Sequence, residues 1–247
     1  MYGRGGNQSL NLKRLAKASS IFVNGDRLYD FLDEVNGFNL NELTLITGNS
    51  DFNFTDPVDL PNAIKVWFCQ NNGMPKKDSV FTLPIGIENL RLGRLGLRKW
   101  YKPRYQNAIS DKILVPPMSP TNSFRFVAVE YASKHPNLFD VFTNYVHERE
   151  YFMLTRSYKF VLCCEGNGFE NHRIWETLYQ GSFPVMVKST WSLSLQYLNL
   201  PIMFVDSLND LTQEGLVKFS KANRDFNPQD HNQLWIPFWS KLIRQQI

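Results

Sequence analysis

His172, Arg173 and Glu176 have the types and spacing to bind a phosphate-containing ligand. They open a predicted helix within the segment YKFVLCCEGNGFENHRIWETLYQGSFPVMV, residues 158–187. The first turn of a helix carries partial positive charge, so cations there are mildly unfavourable unless an anion binds. Free N–H groups and an arginine fork both suit phosphate, and Glu176, one turn on, is placed to accept hydrogen bonds from ribose hydroxyls. A solvated first turn with an Arg173–Glu176 surface pair is the alternative.

The surrounding pattern predicts a strand, a loop, a helix and a second strand. Tyr158–Cys164 is an apolar run typical of a strand buried on both faces. Gly166, Asn167 and Gly168 break that pattern, and Asn171 is a plausible helix N-cap. Helical rotation over residues 172–180 predicts a polar arc, comprising His172, Arg173, Glu176 and Gln180, opposite an apolar arc of Ile174, Trp175, Leu178 and Tyr179. Gly181 is expected to end the helix, and Phe183–Val187 to form the next buried strand.

Polar loops follow three predicted strands in the first half of the chain. Leu43–Thr47 leads into Asn49-Ser50-Asp51, and Ala63–Cys69 leads into Gln70 and Asn71. A strand predicted over Val80–Ile87 ends in Glu88 and Asn89. Because ligands of open α/β sheets bind outside the carboxyl ends of the strands, these loops together are expected to line one wall of a cleft. For any single loop, ordinary turn chemistry of Asn, Asp and Gly is the alternative.

The segment around Arg173 resembles the donor-binding core of exostosin-like glycosyltransferases. Those enzymes have a Gly-containing loop, then Arg, then W/x-E-x-L and G-x-x-P-V; this chain has Gly166, Gly168, Arg173, Trp175-Glu176, Leu178, Gly181 and Pro184-Val185. Fucosyltransferases of the GT-B type are more distantly similar. The chain departs at Cys163-Cys164-Glu165, where relatives tend to have Pro and often a basic residue. A Glu165 carboxylate near a diphosphate would repel it.

The resemblance extends to the first half of the chain. A group of exostosin-like enzymes, several of them viral or bacterial, has N-S-D, then W-F-x-Q-N, then P-I-G-x-x-N. The corresponding residues here are Asn49-Ser50-Asp51, Trp67-Phe68-Cys69-Gln70-Asn71 and Pro84-Ile85-Gly86-Ile87-Glu88-Asn89. Relatives often have His where this chain has Gly48.

The resemblance implies a GT-B-like α/β fold with two Rossmann-like halves, parallel sheets and a cleft between them. We expect a reduced acceptor-side domain over residues 1–108 and a donor-binding domain over residues 109–247. The donor would be a nucleotide-sugar, with UDP-sugars favoured over GDP-sugars, and the acceptor a glycan hydroxyl. Gly166, Asn167, Gly168, His172, Arg173 and Glu176 would bind the donor.

Inverting glycosyl transfer requires a carboxylate that deprotonates the acceptor. Asp51, at a strand end, is the first candidate for this base and Glu88 the second. The amides of Asn49, Gln70, Asn71 and Asn89 are candidates to bind sugar hydroxyls, because amides both donate and accept. A non-catalytic module of the same fold, which binds a carbohydrate or a nucleotide, is the main alternative.

Several other reaction types lack their motifs. The sequence has no G-x-x-x-x-G-K-[ST], no G-x-S-x-G, no D-x-D and no H-E-x-x-H. We therefore expect a site without metal or cofactor, with the charge of the leaving group met by Arg173 and helix N–H groups. A basic, aromatic stretch over residues 90–104 is either a solvated connector or a grip for nucleic acid or glycan. A net charge of +4 is too small for a strong nucleic-acid footprint, and no nucleic acid is expected.

The composition favours a folded protein without a membrane anchor. Hydrophobic residues make up 43% and charged residues 20% of the 247 residues, so a substantial core can form. The sequence has no apolar run of transmembrane length and no signal-peptide pattern, so no transmembrane segment is expected. Cys69, Cys163 and Cys164 lie in strand-like surroundings, which suggests buried thiols in a reducing compartment. We expect a cytoplasmic location, or the host cytoplasm if the chain is viral.

Overall fold

The computed structural model of the chain describes residues 10–90, residue 101 and residues 110–246. It has a mixed α/β architecture with two sheets, and every strand pairing within them is parallel. The predicted α/β class with two Rossmann-like parallel halves is confirmed at this level.

The first sheet has the strand order β1-β2-β3-β4. Its strands are β1 (Ser20–Asn24), β2 (Leu43–Gly48), β3 (Ile64–Cys69) and β4 (Val80–Thr82). The short helix α1 (Leu12–Leu15) precedes the sheet, and α2 (Leu28–Val35) connects β1 to β2. Helix α2 buries Leu28, Phe31 and Val35 in one core with residues of the sheet that include Leu45 and Trp67.

The second sheet has the order β6-β5-β7-β8-β9. Its strands are β5 (Ser110–Val115), β6 (Phe139–Val141), β7 (Tyr158–Leu162), β8 (Phe183–Val187) and β9 (Met203–Val205). The helices are α3 (Ser123–Ser133), α4 (Glu148–Arg156), α5 (His172–Tyr179), α6 (Thr190–Ser194), α7 (Gln213–Ala222) and α8 (Ile236–Arg244).

The order of the second sheet reverses between β5 and β7. From β5 the chain first adds β6 on one side and then returns to add β7, β8 and β9 on the other. At such a switch point the loops that follow the two central strands diverge, which leaves a crevice outside their carboxyl ends. The loops after β5 and β7 are therefore where this fold favours a ligand.

The two halves of the chain contact each other through residues that follow their strands. The strands of the first sheet all precede residue 83, and those of the second sheet all follow residue 109. Leu83, Ile85 and Ile87 from the first half pack on a buried cluster of the second half that includes Trp175 and Trp239. The end of the chain returns to the first sheet, where Thr44 Oγ1 donates a 3.0 Å hydrogen bond to the carbonyl of Gln246.

Two local predictions in the first half are wrong. The sequence pattern predicts an amphipathic helix near Arg27–Val35 with Asp26 as its cap. In the structure Asn24 caps a 3-10 turn that precedes α2, and the Asp26 carboxylate accepts a hydrogen bond from Ser50 Oγ. The strand predicted over Val80–Ile87 ends at Thr82. Pro84 has no N–H to donate, and Ile85 N instead donates to a carboxylate of the other half.

The basic stretch lies mostly outside the described residues. Only Leu90 and Tyr101 of residues 90–104 are described, so Arg91, Arg94, Arg98, Lys99, Trp100, Lys102 and Arg104 stay predictions from sequence. Tyr101 is buried against Tyr151 and Phe152. Among the helices of the described ranges, none has the length and apolar character that a bilayer crossing needs.

Candidate functional site

Helix α5 forms where the sequence predicts it, because its ends are locally encoded. Asn171 is extended, and its Oδ1 accepts a 2.9 Å hydrogen bond from Arg173 N, which caps the first turn. Gly181 has φ +77°, a conformation that glycine adopts without strain, and the helix stops before it. Ile174 and Leu178 are fully buried, which fixes the rotation of the helix.

The polar arc of α5 is less open than its pattern predicts. Glu176 is 2% exposed and Gln180 is 0% exposed, because helix α4 packs over this arc. Tyr151 Oη donates to Glu176 Oε2 at 3.0 Å, and Thr155 Oγ1 donates to Gln180 Oε1 at 2.8 Å. The more accessible part of this arc is thus the first turn of α5, where His172 and Arg173 are partly exposed.

Arg173 reaches from α5 to the end of strand β5. Its Nη2 donates to the carbonyl of Pro117 at 2.8 Å, and its Nε lies 3.4 Å from Tyr151 Oη. The guanidinium carbon is 5.9 Å from the centre of the Tyr151 ring, within the range of a cation–π contact. These contacts hold the guanidinium at the switch point of the second sheet.

Arg125 is a second cation at the same place, and it is not among the site residues predicted from the sequence. It lies in the first turn of α3, where Nε donates to the carbonyl of Glu165 at 2.7 Å and Nη1 to that of Ser119 at 2.8 Å. Burial, and then the charge of Arg173, lowers the pKa of Arg125. Neither arginine forms an ion pair with a carboxylate of the described residues.

Both arginines line a cavity of about 320 Å³, which we call the arginine cavity. Its described lining comes from the loop after β5, from α3, α4 and α5, and from Glu88 of the first half: Glu88, Pro117, Arg125, Tyr145, Val146, Glu148, Tyr151, Asn171, His172, Arg173 and Glu176. Of the predicted site residues, this cavity brings together His172, Arg173, Glu176 and Glu88.

Glu176 has one carboxylate oxygen without a partner. Oε2 accepts from Tyr151, whereas Oε1 is buried and has no hydrogen-bond partner among the described residues. Burial raises the pKa of Glu176, and the nearby Arg173 opposes this by favouring the ionised form. A buried carboxylate oxygen is costly to leave unpaired, so this atom is suited to accept a hydrogen bond from a ligand.

His172 ties the arginine cavity to the first half of the chain. Its Nδ1 lies 2.7 Å from the carbonyl oxygen of Gly86. Because a carbonyl only accepts, Nδ1 must carry the proton in this contact. The ring is therefore held in place, and its Nε2 is the nitrogen that remains for another partner.

The predicted glycine loop does not line the arginine cavity among the described residues. Gly166 N donates to Gly168 O at 2.9 Å, which closes the loop on itself. Gly168 packs against Asn71, since a Cβ at this position would lie 2.9 Å from Asn71 Nδ2. The Glu165 carboxylate accepts from Ser189 Oγ at 2.9 Å, while its carbonyl positions Arg125. This loop therefore shapes the contact between the halves.

Asp51 and Asn167 meet each other away from the arginine cavity. Asp51 is exposed, and its Oδ2 lies 3.4 Å from Asn167 Nδ2 across the two halves. Neither residue belongs to the described lining of the cavity. Of the two carboxylates predicted as a base, Glu88 lies at the cavity and Asp51 does not.

The amides predicted to bind sugar hydroxyls are engaged within the fold. Gln70 Oε1 accepts from Asn49 N at 2.8 Å, and Asn49 has a positive φ of 55°. Asn71, which is buried, donates to Ser50 O at 3.0 Å and accepts from Glu170 N at 2.8 Å. Asn89 is exposed and is not part of the described lining of the arginine cavity. The contacts of Asn49, Gln70 and Asn71 are those of turns and of the contact between the halves.

Glu170 joins the two halves, and no local sequence pattern marks it. It is 4% exposed, and its Oε1 accepts from Ile85 N at 2.8 Å and from Trp175 Nε1 at 2.7 Å. Burial raises its pKa to about 8. Its other oxygen has no partner within the described ranges.

The possible metal ligands and the thiols form no further candidate site within the described ranges. Within residues 10–90, 101 and 110–246, no group of three His, Cys, Asp or Glu side chains is arranged to hold a metal ion. The three cysteines are buried, as predicted, and burial raises the pKa of Cys163 to about 12 and that of Cys164 to about 11.

No known family model matches this chain, and no curated protein matches it either.

Proposed function

We propose that this chain is a glycosyltransferase that moves a sugar from a nucleotide-sugar donor to an acceptor hydroxyl. The observation that carries the proposal is the arginine cavity, where Arg125 and Arg173 have no described carboxylate as ion-pair partner and Glu176 has an unpartnered buried oxygen. Guanidinium groups complement phosphate, and a carboxylate oxygen accepts from ribose hydroxyls. A nucleoside diphosphate supplies both groups in one molecule.

The electrostatics of the cavity also support an anionic ligand. Burial and the neighbouring Arg173 both lower the pKa of Arg125, so the charged form of this side chain is disfavoured without a counter-charge. A diphosphate between the two guanidinium groups would remove this repulsion. It would also meet the positive end of the α5 helix dipole, since His172 and Arg173 open that helix.

The proposed relationship is with exostosin-like glycosyltransferases of the GT-B type. The motifs around Arg173 and in the first half of the chain support it, as does the pair of parallel sheets that meet at the ends of their strands. Residues 1–108 would then form the acceptor side and residues 109–247 the donor side. A UDP-sugar is the favoured donor, and the proposed location is the cytoplasm.

In the proposed reaction the Glu88 carboxylate takes the proton of the acceptor hydroxyl. The acceptor oxygen forms a bond to the anomeric carbon, and the bond from that carbon to the diphosphate oxygen breaks. The electron pair leaves with the nucleoside diphosphate, whose charge Arg125 and Arg173 stabilise. The products are a glycoside, a nucleoside diphosphate and one proton, and the anomeric configuration inverts. The two arginines supply the positive charge, so no metal ion is part of this proposal.

A nucleotide- or carbohydrate-binding module without catalysis is the second candidate. It is favoured by the engaged side chains of Asn49, Gln70 and Asn71, which leave fewer polar groups to hold an acceptor sugar. Such a module would bind the same nucleotide in the arginine cavity but would not release it from a sugar. Turnover therefore separates the two functions.

The test is release of free nucleotide from a panel of UDP- and GDP-sugars. We expect the wild-type protein to release UDP slowly from at least one UDP-sugar. Glu88→Gln should lower the rate at least a hundredfold while nucleotide affinity changes little, because the amide cannot take a proton. Asp51→Asn is the matched control and should keep the rate. Tight nucleotide binding without release in the wild type would support the non-catalytic module.

A further inference from the structure

A second cavity, of about 870 Å³, adjoins the loop that leads to Glu88. Residues 84–87 line this second cavity, and the next residue, Glu88, lines the arginine cavity. We call it the aromatic cavity, after the rings of Tyr101, Trp175, Tyr179, Trp235 and Trp239 in its wall. Its volume is within the range of small-molecule binding sites.

Four of the five rings in this wall use their donors within the protein. Trp235 Nε1 donates to Pro228 O at 3.1 Å, and Trp239 Nε1 donates to Gln233 O at 2.9 Å. Trp175 Nε1 donates to Glu170, and Tyr179 Oη donates to Leu234 O. These rings therefore offer apolar surface rather than hydrogen bonds. Hydroxyl groups of a ligand would therefore find few hydrogen-bond donors on these rings, while its apolar groups would lose contact with water.

The rest of the described wall is also largely apolar. Ile236, at the start of α8, is 80% exposed although it is a large aliphatic residue. Among the described lining residues, Gln229 and Gln233 provide the uncharged polar side chains, and charged side chains are absent. This composition suits an alkyl or aryl group better than a free sugar.

The loop of residues 84–87, next to both cavities, is held by hydrogen bonds at Ile85 and at Gly86. Ile85 N donates to Glu170 Oε1 at 2.8 Å, and the carbonyl of Gly86 accepts from His172 Nδ1 at 2.7 Å. A molecule in the aromatic cavity therefore lies against a fixed backbone, next to Glu88. Glu88 directly follows the lining residue Ile87, which places the proposed base at the edge of the aromatic cavity along the chain.

We propose that the aromatic cavity binds the apolar part of the acceptor, which is a glycoside with an alkyl or aryl group. The inference rests on the proposed function, because it assigns the acceptor of that reaction. In this arrangement the apolar group anchors the molecule, and a sugar hydroxyl is presented to Glu88. Each further methylene that is buried should strengthen binding about fourfold, which corresponds to about 0.8 kcal/mol.

The test is titration of the full chain with n-octyl β-D-glucopyranoside, below its micelle concentration, and with methyl β-D-glucopyranoside, followed by tryptophan fluorescence. We expect the octyl compound to bind at least tenfold more tightly than the methyl compound. Ile236→Asp should weaken octyl binding at least tenfold. The first turn of a helix favours an acidic residue, so α8 should tolerate this change. Ile236→Ser removes the same apolar side chain without adding a charge.

Phe38→Asp is the matched control, since Phe38 is 52% exposed and belongs to the described lining of neither cavity. It should leave octyl binding unchanged. Equal affinity for the two glucosides, or octyl binding that both Ile236 variants leave intact, would overturn the inference.

A parallel titration with UDP keeps the two proposals apart. Binding of UDP without binding of the octyl compound would overturn the acceptor inference alone. Binding of the octyl compound without binding of UDP would contradict the proposed function. It would support only the conclusion that the aromatic cavity binds an alkyl or aryl group.

Discussion

The hydroxyl of Tyr151 donates a 3.0 Å hydrogen bond to Glu176, a carboxylate that is almost completely buried. The same hydroxyl lies 3.4 Å from Arg173 Nε, so one tyrosine on α4 contacts two of the candidate site residues of α5. The second oxygen of Glu176 is without a partner in the described part of the chain. A carboxylate held in this way is prepared for a ligand that brings its own hydroxyl.

Tyr151→Phe should therefore lower both stability and nucleotide affinity. The phenylalanine keeps the ring but leaves both Glu176 oxygens without a described partner, which should cost about 1–3 kcal/mol of unfolding free energy. Urea unfolding measures this loss, and titration with UDP measures the affinity. Tyr29→Phe is the control, because Tyr29 is half exposed and its described ring contact is to Phe52. Equal stability of the two variants would contradict the role assigned to Tyr151.

Glu170 should make the stability of the protein depend on pH. Burial raises its pKa from 4.5 to about 8 in the folded chain. Between these values the unfolded chain releases a proton that the folded chain retains, so stability falls as pH rises through this window. The slope from this one group is at most about 1.4 kcal/mol per pH unit and levels off above the folded pKa.

Glu170→Gln should remove this contribution, because an amide keeps an acceptor for Ile85 N and Trp175 Nε1 but does not titrate. The measurement is unfolding free energy by urea at several pH values from 5 to 9, for wild type and variant. The unfolding free energy of the variant, relative to that of the wild type, should increase as pH rises toward 8. Parallel pH profiles for the two proteins would show that Glu170 does not titrate as its burial implies.

Gly168→Ala should destabilise the contact between the halves through Asn71. The added Cβ would lie 2.9 Å from Asn71 Nδ2, and Asn71 is held by Ser50 O and Glu170 N. We expect a loss of about 1–3 kcal/mol in urea unfolding. In an Asn71→Gly background the same change should cost much less, because the opposing side chain is gone. An equal cost in both backgrounds would rule out this clash.

The sequence predicts best where the determinants are local. The bounds of α5 follow from Asn171, from Gly181 and from apolar residues with helical spacing, and these signals act over a few residues. The strand predicted to Ile87 ends at Thr82, opposite the last residue of β3, and beyond it Ile85 N bonds to Glu170, which is 85 residues away. No local pattern indicates such a partner.

The difference between local and long-range determinants also explains why the sequence predicts only part of the candidate site. Arg173 and Glu176 share one helix, so their spacing is visible in the sequence. Arg125 joins them only because the strand order brings the loop after β5 beside the start of α5. The one signal for Arg125 in the sequence is its position near the start of a helical pattern over residues 122–133, which follows an apolar, strand-like run over residues 112–115. The burial of Glu176 depends on Tyr151 of another helix, which its own periodicity does not reveal.

The central claim is that the arginine cavity binds a nucleoside diphosphate, and calorimetric titration with UDP tests it most directly. Arg125→Gln and Arg173→Gln should each weaken binding about 10- to 100-fold, as expected for loss of a charged hydrogen bond worth about 1.5–3 kcal/mol. Arg224→Gln, at an exposed surface pair with Asp225, should bind like wild type. Wild-type protein that binds neither UDP nor GDP, or binding that both cavity variants leave unchanged, would contradict the claim.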